Sequence, residues 1–376
     1  MQLVAYGAQD VYLTGNPQIT FFKVVYRRHT NFSCEDIEQT FNGNADFGRT
    51  VTCNINRNGD LVSNMNLVVS FNSVNGNDDW NSRIGYSLIE SVKVEIGGSK
   101  IDEHTGNWMN IWHELTRDSS HDDGYKATIG TKGAQANNSI NTLYIPLQFW
   151  FCKNPGLALP LIALQYHDVR VTVKFASYDS VASDTNDSTA KFEDAILLTE
   201  YVYLDSEERK RFAQASHEYL IEQVQDSGAE NVSSANEKYR LNFNHPCKCL
   251  VWAANHANTF RYDVAGDGNG ANQCVDAVLQ LNGHDRFAKR DGDYFNYVQP
   301  IRHFSNTPAA GINVYSFAIN PEEHQPSGTC NFSRIDNATL NITWNTHGVA
   351  ESCNIYAVNY NVLRIMSGMG GLAYSN

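Results

Sequence analysis

The chain has little basic charge and no long apolar run. Its 376 residues carry 28 lysines and arginines against 41 aspartates and glutamates, a formal net charge of −13 at pH 7. Phosphate binding needs a concentrated excess of basic side chains, so we expect no direct contact with nucleic acid. The most apolar stretch, Gly156–Leu164, contains Pro160 and is far too short to cross a bilayer. The N-terminus lacks the basic start and apolar run of a signal peptide, so we predict a soluble protein made in a reducing compartment.

The cysteines match neither a disulfide framework nor a zinc site. Their spacing is irregular, and a chain of this length needs no covalent staples. Cys247 and Cys249 form a C-x-C pair, unlike the C-x-x-C of zinc and redox sites, and no second pair matches it. We therefore predict reduced, mostly buried thiols that act as small core residues. The eight are Cys34, Cys53, Cys152, Cys247, Cys249, Cys274, Cys330 and Cys353.

Strand-forming residues are plentiful. The chain has 19 Tyr, 18 Phe and 6 Trp, and short alternating apolar segments are separated by loops rich in Asn, Gly, Asp and Ser. Examples are the segment Ile19–Arg27 and the segment Val51–Ile55, which runs toward an expected two-residue hairpin turn at Asn58-Gly59 and a return strand Met65–Phe71. Such a pattern, with almost no helical period, is typical of antiparallel sandwiches and barrels.

The two halves of the chain repeat one order of elements. Val92–Ile101 and Ala277–Phe287 are each an alternating strand that runs into a Gly-Gly or Asn-Gly turn, about 185 positions apart. A period near half the chain length indicates two copies of one domain. After each turn come an aromatic-x-Asn segment (Trp108–Asn110; Tyr294–Asn296), an apolar-aromatic strand (Tyr144–Phe151; Val314–Ile319) and a late alternating strand (Val169–Phe175; Thr339–Trp344).

These features predict an all-β fold of two tandem eight-stranded antiparallel jelly-roll domains joined by a short helix. An immunoglobulin-like sandwich is the alternative, but its Cys…Trp…Cys spacing is absent. Ser206 stands in an N-cap position before acidic and then basic residues, which indicates the helix. The expected divisions are an N-terminal arm (1–17), the first jelly roll (18–205), the linker helix (206–214) and the second jelly roll (215–376).

Three groups of residues have the composition of a chemical site. The first could suggest a cupin-type metal centre, but its spacing matches no ligand motif, and His113 and Glu114 would point to opposite faces of a strand. The second lacks the residue order of a calcium loop, and the third lies between two prolines in an expected exposed loop without a nucleophile. We predict no catalytic, cofactor-binding or metal site. The groups are His104, His113, Glu114, His121, Asp122 and Asp123; Asp263–Gly270; and Glu322, Glu323 and His324.

Two short basic runs, Arg27–His29 and Arg209–Arg211, are expected to be solvated or to lie in interfaces. The chain also contains seven N-x-S/T sequons, of which only those at Asn137 and Asn186 lie in predicted loops. In so Asn-rich a chain most sequons are coincidental, so we assign no glycosylation site. The other five are Asn31, Asn231, Asn331, Asn337 and Asn341.

Several long motifs resemble the major capsid proteins of nucleocytoplasmic large DNA viruses, and those of algal viruses in particular. They lie in the expected order and cover essentially the whole chain. They are Gly15–Phe32 (GNPQITFFKVVYRRHTNF), Ile145–Cys152 (IPLQFWFC) with Gly156–Leu161 (GLALPL), Asn320–Cys330 (NPEEHQPSGTC) and Tyr360–Tyr374 (YNVLRIMSGMGGLAY).

This resemblance implies a double jelly roll, three copies of which form a pseudo-hexagonal capsomer in an icosahedral shell. The implied partners are further copies of the chain, neighbouring capsomers, penton and minor capsid proteins, and an inner viral membrane layer, with assembly in the host cytoplasm. The repeat leads to the same geometry, because three copies of a tandem unit present six similar units around a threefold axis. Two alternatives stay open at this point: a tandem jelly-roll lectin and, more remotely, a cupin-like metalloenzyme.

Overall fold

The computed structural model describes residues 7–19, 29–71, 83–118, 120–130, 142–181, 191–255, 262, 270–345 and 352–374. The predicted strand Ile19–Arg27 lies outside the described residues except for Ile19, and Asp263–Gly270 does so except for Gly270. Antiparallel strands dominate the described part in both halves.

The described part of the first half contains nine strands in two sheets. The long sheet has the order β1-β9-β3-β6, with β7 beside β3, and the short sheet has the order β2-β8-β4-β5. The strands are β1 (Phe32–Thr40), β2 (Thr50–Asn54), β3 (Leu61–Phe71), β4 (Ile89–Ile96), β5 (Ser99–His104), β6 (Thr142–Pro146), β7 (Leu159–Pro160), β8 (Val169–Phe175) and β9 (Phe192–Leu204).

The second half repeats this arrangement. Its long sheet has the order β10-β20-β13-β17, with β11 and β21 beside β20 and β18 beside β13, and its short sheet has the order β12-β19-β14-β15, with β16 beside β14. The strands are β10 (His217–Asp226), β11 (Glu230–Asn231), β12 (Asn236–Arg240), β13 (Pro246–Asn255), β14 (Cys274–Leu281), β15 (His284–Asp285), β16 (Arg290–Asp291), β17 (Ile312–Ser316), β18 (Cys330–Asn331), β19 (Ala338–Trp344), β20 (Ser352–Met366) and β21 (Met369–Leu372).

Short helices connect or flank the sheets. A π-helical turn, Tyr294–Val298, leads directly into the last α-helix, and single 3₁₀ turns occur at Pro155–Leu157, Leu161–Ala163 and Phe332–Arg334. The α-helices are α1 (Asp10–Thr14), α2 (Ile84–Ser87), α3 (Gly106–Thr116), α4 (Asp122–Thr128), α5 (Trp150–Lys153), α6 (Tyr178–Val181), α7 (Ser206–Gln214) and α8 (Gln299–His303).

The strand order is the same in both halves, so the predicted double jelly roll is confirmed. The repeat also includes the positions of the β-bulges. A bulge after Val62 in β3 recurs after Cys247 in β13, and one after Ile89 in β4 recurs after Cys274 in β14, always 185 positions later. The hairpin turns at Gly97-Gly98 and Asn282-Gly283 keep the same spacing and have positive φ at both residues, the geometry of a type I′ turn.

Some local predictions were wrong. Asn58-Gly59 is not a hairpin turn, because β2 and β3 belong to different sheets. The strand expected over Tyr144–Phe151 ends at Pro146, and α5 begins at Trp150. The aromatic-x-Asn segments, for which the sequence predicted no secondary structure, are helical in both halves. The linker helix is present at Ser206–Gln214, but its N-cap is Asp205, whose carboxylate accepts hydrogen bonds from the amides of Glu207 and Glu208.

Each half has an apolar core between its two sheets, and a third apolar cluster lies between the halves. Leu67 and Val173 belong to the first core, and Trp252 and Leu340 to the second; all four are buried. No helix of the described residues combines the length and the apolar character needed to span a bilayer.

Candidate functional site: the junction of the two halves

Helix α3 belongs to the first jelly roll and packs against the second. It follows the β4–β5 hairpin of the first half and begins after Thr105, whose hydroxyl accepts a hydrogen bond from the amide of Trp108. Gly106 is required there, because a Cβ atom would lie 2.0 Å from the carbonyl oxygen of Tyr86. The helix therefore starts in close contact with the backbone of its own domain.

One face of α3 packs on the second half. Trp108, Ile111, Trp112 and Leu115 have the i, i+3, i+4, i+7 spacing of a single helical stripe, and all four are buried. They contact the face of the second half's long sheet that points away from its own core. The sheet residues in this cluster are Cys249, Val251, Ala253, Ile312, Val314, Tyr356 and Val358. First-half residues thus cover a sheet of the second half.

Aromatic rings form the centre of this contact. The ring centroid of Trp108 lies 5.3 Å from that of Trp112 and 5.0 Å from that of Tyr356 in β20. Phe304 meets Trp112 edge to face at 6.2 Å, and the ammonium of Lys153 lies 4.4 Å from the centre of the Trp112 ring. Large fixed rings across a domain boundary favour one relative position of the two halves.

Polar groups at the edge of the cluster are also paired across the boundary. The side-chain amide of Asn107 donates a hydrogen bond to the hydroxyl of Tyr356 (2.9 Å). Its side-chain oxygen accepts a hydrogen bond from the hydroxyl of Tyr262 (2.7 Å). The side-chain amide of Asn306 donates to the carbonyl of Glu114 (2.7 Å). Because unpaired buried polar groups are costly, these bonds make the junction specific as well as apolar.

A buried ion pair lies in the same long sheet. Lys248, at the bulge of β13, is fully buried, and its Nζ lies 2.6 Å from Glu222 in β10 and 3.1 Å from the carbonyl of Glu323. Burial acts to raise the pKa of Glu222, but His324, Lys153 and Lys248 more than offset it and lower this pKa to about 2. Glu222 is therefore ionised over the whole physiological range.

The six residues with the composition of a metal site do not lie together in the structure. His104 is buried with Nε2 2.9 Å from Asp102 and stacks on Phe149, whereas Glu114 pairs with Arg83. His113 stacks on Tyr125 and lies 3.9 Å from Asp122. His121 is exposed beside Asp118, and Asp123 is exposed in α4. In the described ranges, no cluster of three or more such side chains has the arrangement of a metal site. His113 and Glu114 lie in a helix, so their expected assignment to opposite faces of a strand was wrong.

The other candidates have structural contacts. Glu322 accepts hydrogen bonds from the amide (2.6 Å) and hydroxyl of Ser305, and His324 lies 3.8 Å from Glu222. Glu322 and His324 are partly buried and Glu323 is exposed, so among these three candidates the expected exposure holds for Glu323. Arg209 pairs with Asp60 at 3.0 Å, while Lys210 and Arg211 are exposed. Arg27 and Arg28 lie outside the described residues, and His29 is exposed.

The sequons and cysteines can also be placed. Asn137 and Asn186 lie outside the described residues; Asn31, Asn231, Asn331 and Asn337 are exposed, and Asn341 is partly buried in β19. All eight cysteines are free thiols, and five of them are buried, as predicted. Burial raises the pKa of Cys53 to about 11 and that of Cys249 to about 12, so these thiols are protonated and unreactive at neutral pH.

Sequence reasoning missed Lys248 and Glu222. Lys248 lies between two cysteines of an apolar strand, and this charge in a buried segment was the available signal. The sequence gives no indication of its partner, because Glu222 is 26 positions away in another strand and is placed beside Lys248 only by sheet pairing.

Two family models match the chain. One, described as the N-terminus of the major capsid protein, covers residues 20–205, and the other, described as the large eukaryotic DNA virus major capsid protein, covers residues 208–371. The chain belongs to the major capsid protein family of large eukaryotic DNA viruses. Its role in the virion is therefore structural, as a component of the capsid.

Individual relatives agree with this family over the full length. The chain is 52% identical to the major capsid protein of Pyramimonas orientalis virus, covering 100% of this chain and 99% of the relative. It superposes on the quasi-atomic model of the PBCV-1 virus capsid with a TM-score of 0.82 and 39% identity, over 95% of this chain and 100% of that chain. The Faustovirus major capsid protein shares the fold, with a TM-score of 0.78 at 13% identity over 96% of this chain and 94% of that one.

Proposed function

We propose that three copies of the chain form a pseudo-hexagonal capsomer that tiles the icosahedral shell of a large double-stranded DNA virus. The observation that carries this proposal is the constant spacing of 185 positions between equivalent bulges and turns of the two jelly rolls. Two units of one topology, held in one relative position by α3, let three chains present six similar units around a threefold axis.

Apolar contact has to stabilise such a trimer. Copies that each carry a net charge of −13 repel one another, so association needs a large interface. Obligate interfaces of this kind bury about 2,000 Å² or more. Contacts between capsomers can be weaker, because many identical contacts close the shell together.

The proposed role includes no catalysis and no cofactor. In support, His104, His113, Glu114, Glu322 and His324 are each in contact with neighbouring side chains of the fold, as described above. The alternative is a lectin-like function, and no observation on the described residues favours it.

The proposed domain limits are the arm (1–17), the first jelly roll (18–205), the linker helix (206–214) and the second jelly roll (215–376). In support, the family models end at 205 and begin again at 208, on either side of the start of α7.

The proposed partners are neighbouring capsomers, penton and minor capsid proteins, and the membrane layer inside the shell, with assembly in the host cytoplasm. We propose that the arm anchors the capsomer to the layer below. In support, Val11, Tyr12 and Leu13 in α1 are more than half exposed. Deleting residues 1–16 should leave the trimer intact but impair shell formation; normal shells from the truncated chain would remove this role.

The test of the main proposal is native mass spectrometry of the purified chain, combined with negative-stain imaging. We expect a particle of three chains with a triangular or hexagonal outline that packs into hexagonal arrays. A chain that stays monomeric at all accessible concentrations would contradict the proposal. A small oligomer without sixfold outline that binds a sugar selectively would favour the lectin-like alternative.

A further inference from the structure

The second half contains a structural counterpart of α3. Both segments follow the type I′ hairpin of their own jelly roll: α3 comes after β4–β5, and the helical segment Tyr294–His303 comes after β14–β15 and β16. Met109 in α3 is buried in the first core, and Phe295 is buried in the second; each is followed by a fully buried asparagine, Asn110 or Asn296. These two matches align the segments with a spacing of 186 positions.

This alignment identifies the counterparts of the α3 stripe. Ile111, Trp112 and Leu115 correspond to Tyr297, Val298 and Ile301. The first three are buried against the second half, as described above. Tyr297, in contrast, is 42% exposed and Ile301 is 71% exposed, and Val298 is partly buried. None of the three belongs to the apolar clusters of the described residues. Trp108, the fourth stripe residue, corresponds to Tyr294, which packs against the second core. Three of the four stripe positions therefore recur as apolar residues outside the apolar clusters of the described part.

The first half's long sheet presents the matching surface. Val68 in β3 pairs with Ile196 in β9 and with Tyr144 in β6, so the three side chains lie on one face. None of them belongs to the core cluster or packs against it, so this face points away from the core. Tyr144 is 48% exposed and Ile196 is partly buried, while Val68 between them is 7% exposed. Equivalent strands of the second half, β13, β20 and β17, carry the residues that α3 covers.

Charge at the edges of the two surfaces is complementary. The outward face of β1, next to β9, carries Asp36 and Glu38, both exposed; Asp36 pairs with Glu200 and Glu38 with Leu198 of β9. The helical segment carries the exposed Arg302 beside Ile301. An acidic rim on one surface and a basic side chain on the other favour contact between different faces over contact between identical ones.

From these observations we infer that Tyr297, Val298 and Ile301 of one copy pack on the face formed by Val68, Tyr144 and Ile196 of the next copy. The contact between chains repeats the contact that α3 makes within a chain. Each copy then provides one donor surface, on its second jelly roll, and one acceptor surface, on its first. Such a head-to-tail interface closes into a ring of three copies when the six jelly rolls are related by about 60° steps. This inference rests on the proposed trimer and specifies its contact.

Substitution tests both surfaces. Ile301→Asp and Tyr144→Asp each place a charge in the inferred contact, and each should raise the concentration at which half of the trimer dissociates at least about tenfold. Tyr166→Asp is the matched control, because Tyr166 is 76% exposed and lies outside both surfaces. Analytical ultracentrifugation gives the dissociation, and circular dichroism verifies that each variant chain is folded. If Ile301→Asp and Tyr144→Asp stay as trimeric as Tyr166→Asp, the inference is wrong.

Cross-linking separates the inference from the proposed function. A benzoylphenylalanine placed at position 301 should form cross-links to peptides of β6 or β9 in another copy, identified by mass spectrometry of a mixture of isotopically light and heavy chains. Cross-links from a trimer to any other region would overturn the inferred contact and leave the trimer standing. A particle that never exceeds one chain would overturn the proposed function and the inference together.

Discussion

One bulge position has two different environments in the two halves. In β3 the extra residue is Ser63, whose hydroxyl donates to Glu200 (2.6 Å), and both residues are partly buried. In β13 the equivalent residue is Lys248, which is fully buried and paired with Glu222. The strand order is the same, so the difference comes from what lies over each sheet. Residues of the first half form an apolar cluster on the outward face of the second half's long sheet, and the described residues contain no such cluster on the outward face of the first half's long sheet.

The helical segments that follow the β4–β5 and β14–β15 hairpins also differ in burial. In α3 the apolar stripe is buried, whereas its repeat at Tyr297 and Ile301 is exposed. Under the inferred contact between copies, the stripe left exposed in the second half is covered by a neighbouring chain. The comparison therefore separates residues that hold the chain together from residues that are available to join copies.

The largest difference between the halves should appear when the two carboxylates are neutralised. We expect Glu222→Gln to lower the free energy of unfolding by about 3–5 kcal/mol, because it leaves the buried ammonium of Lys248 without its counter-charge. Glu200→Gln, the matched change in the first half, should cost about 1 kcal/mol or less, because it alters a hydrogen bond near solvent. Denaturant titration at one protein concentration measures both.

A second variant checks the cause of this loss. Replacing the pair together, with Glu222→Leu and Lys248→Met, should recover most of the stability, since a buried pair can be exchanged for apolar residues at little cost. If Glu222→Gln and Glu200→Gln lower the free energy of unfolding equally, the two bulges are not buried to different extents by the rest of the chain.

Truncating the aromatic stripe tests the helices directly. Trp108→Ala should cost about 3–4 kcal/mol, because it opens a cavity between α3 and β20. Tyr297→Ala should change stability by about 0.5 kcal/mol or less when it is measured in an Ile301→Asp background, where the inferred contact between copies is absent. A large loss from Tyr297→Ala in that background would mean that the exposed stripe already stabilises the single chain.

Much of the fold follows from local patterns. The alternation of Val169–Phe175 and the turns at Gly97-Gly98 and Asn282-Gly283 predicted strands and hairpins that the structure contains. Asn58-Gly59 has the same local signal, but here glycine allows close packing: a Cβ atom on Gly59 would lie 2.8 Å from the side chain of Tyr201. Sequence cannot separate these two uses of glycine, because the second depends on a distant strand.

The junction was harder to predict. The stripe of α3 was present in the sequence at helical spacing, but Met109 adds an apolar residue on another face, since this helix is buried on two sides. Asn110, His113 and Glu114 are buried as well, so the polar residues of this helix do not mark the solvent-facing side that would identify it. The pair of Lys248 and Glu222 depends on strand pairing, which local sequence does not specify.

The smallest expected difference between the two halves is in how acid pH changes the free energy of unfolding. Burial, followed by the charge of Arg83, lowers the pKa of His113 to about 4. Its counterpart at the spacing of 186 positions is Gln299, which is buried and does not titrate. Because the unfolded chain takes up this proton below about pH 6.5 and the folded chain only near pH 4, acidification through this range destabilises the fold.

His113→Gln copies the residue of the second half and should remove this effect. Between pH 7 and pH 5 the unmodified chain should lose about 2 kcal/mol more stability than the variant, as measured by denaturant titration at each pH. His121→Gln is the control, since the His121 side chain is 85% exposed, and it should leave the pH dependence unchanged. If His113→Gln has the same pH dependence as the unmodified chain, the pKa of His113 is the same in the folded and unfolded states, and its burial against Tyr125 does not distinguish the first half from the second.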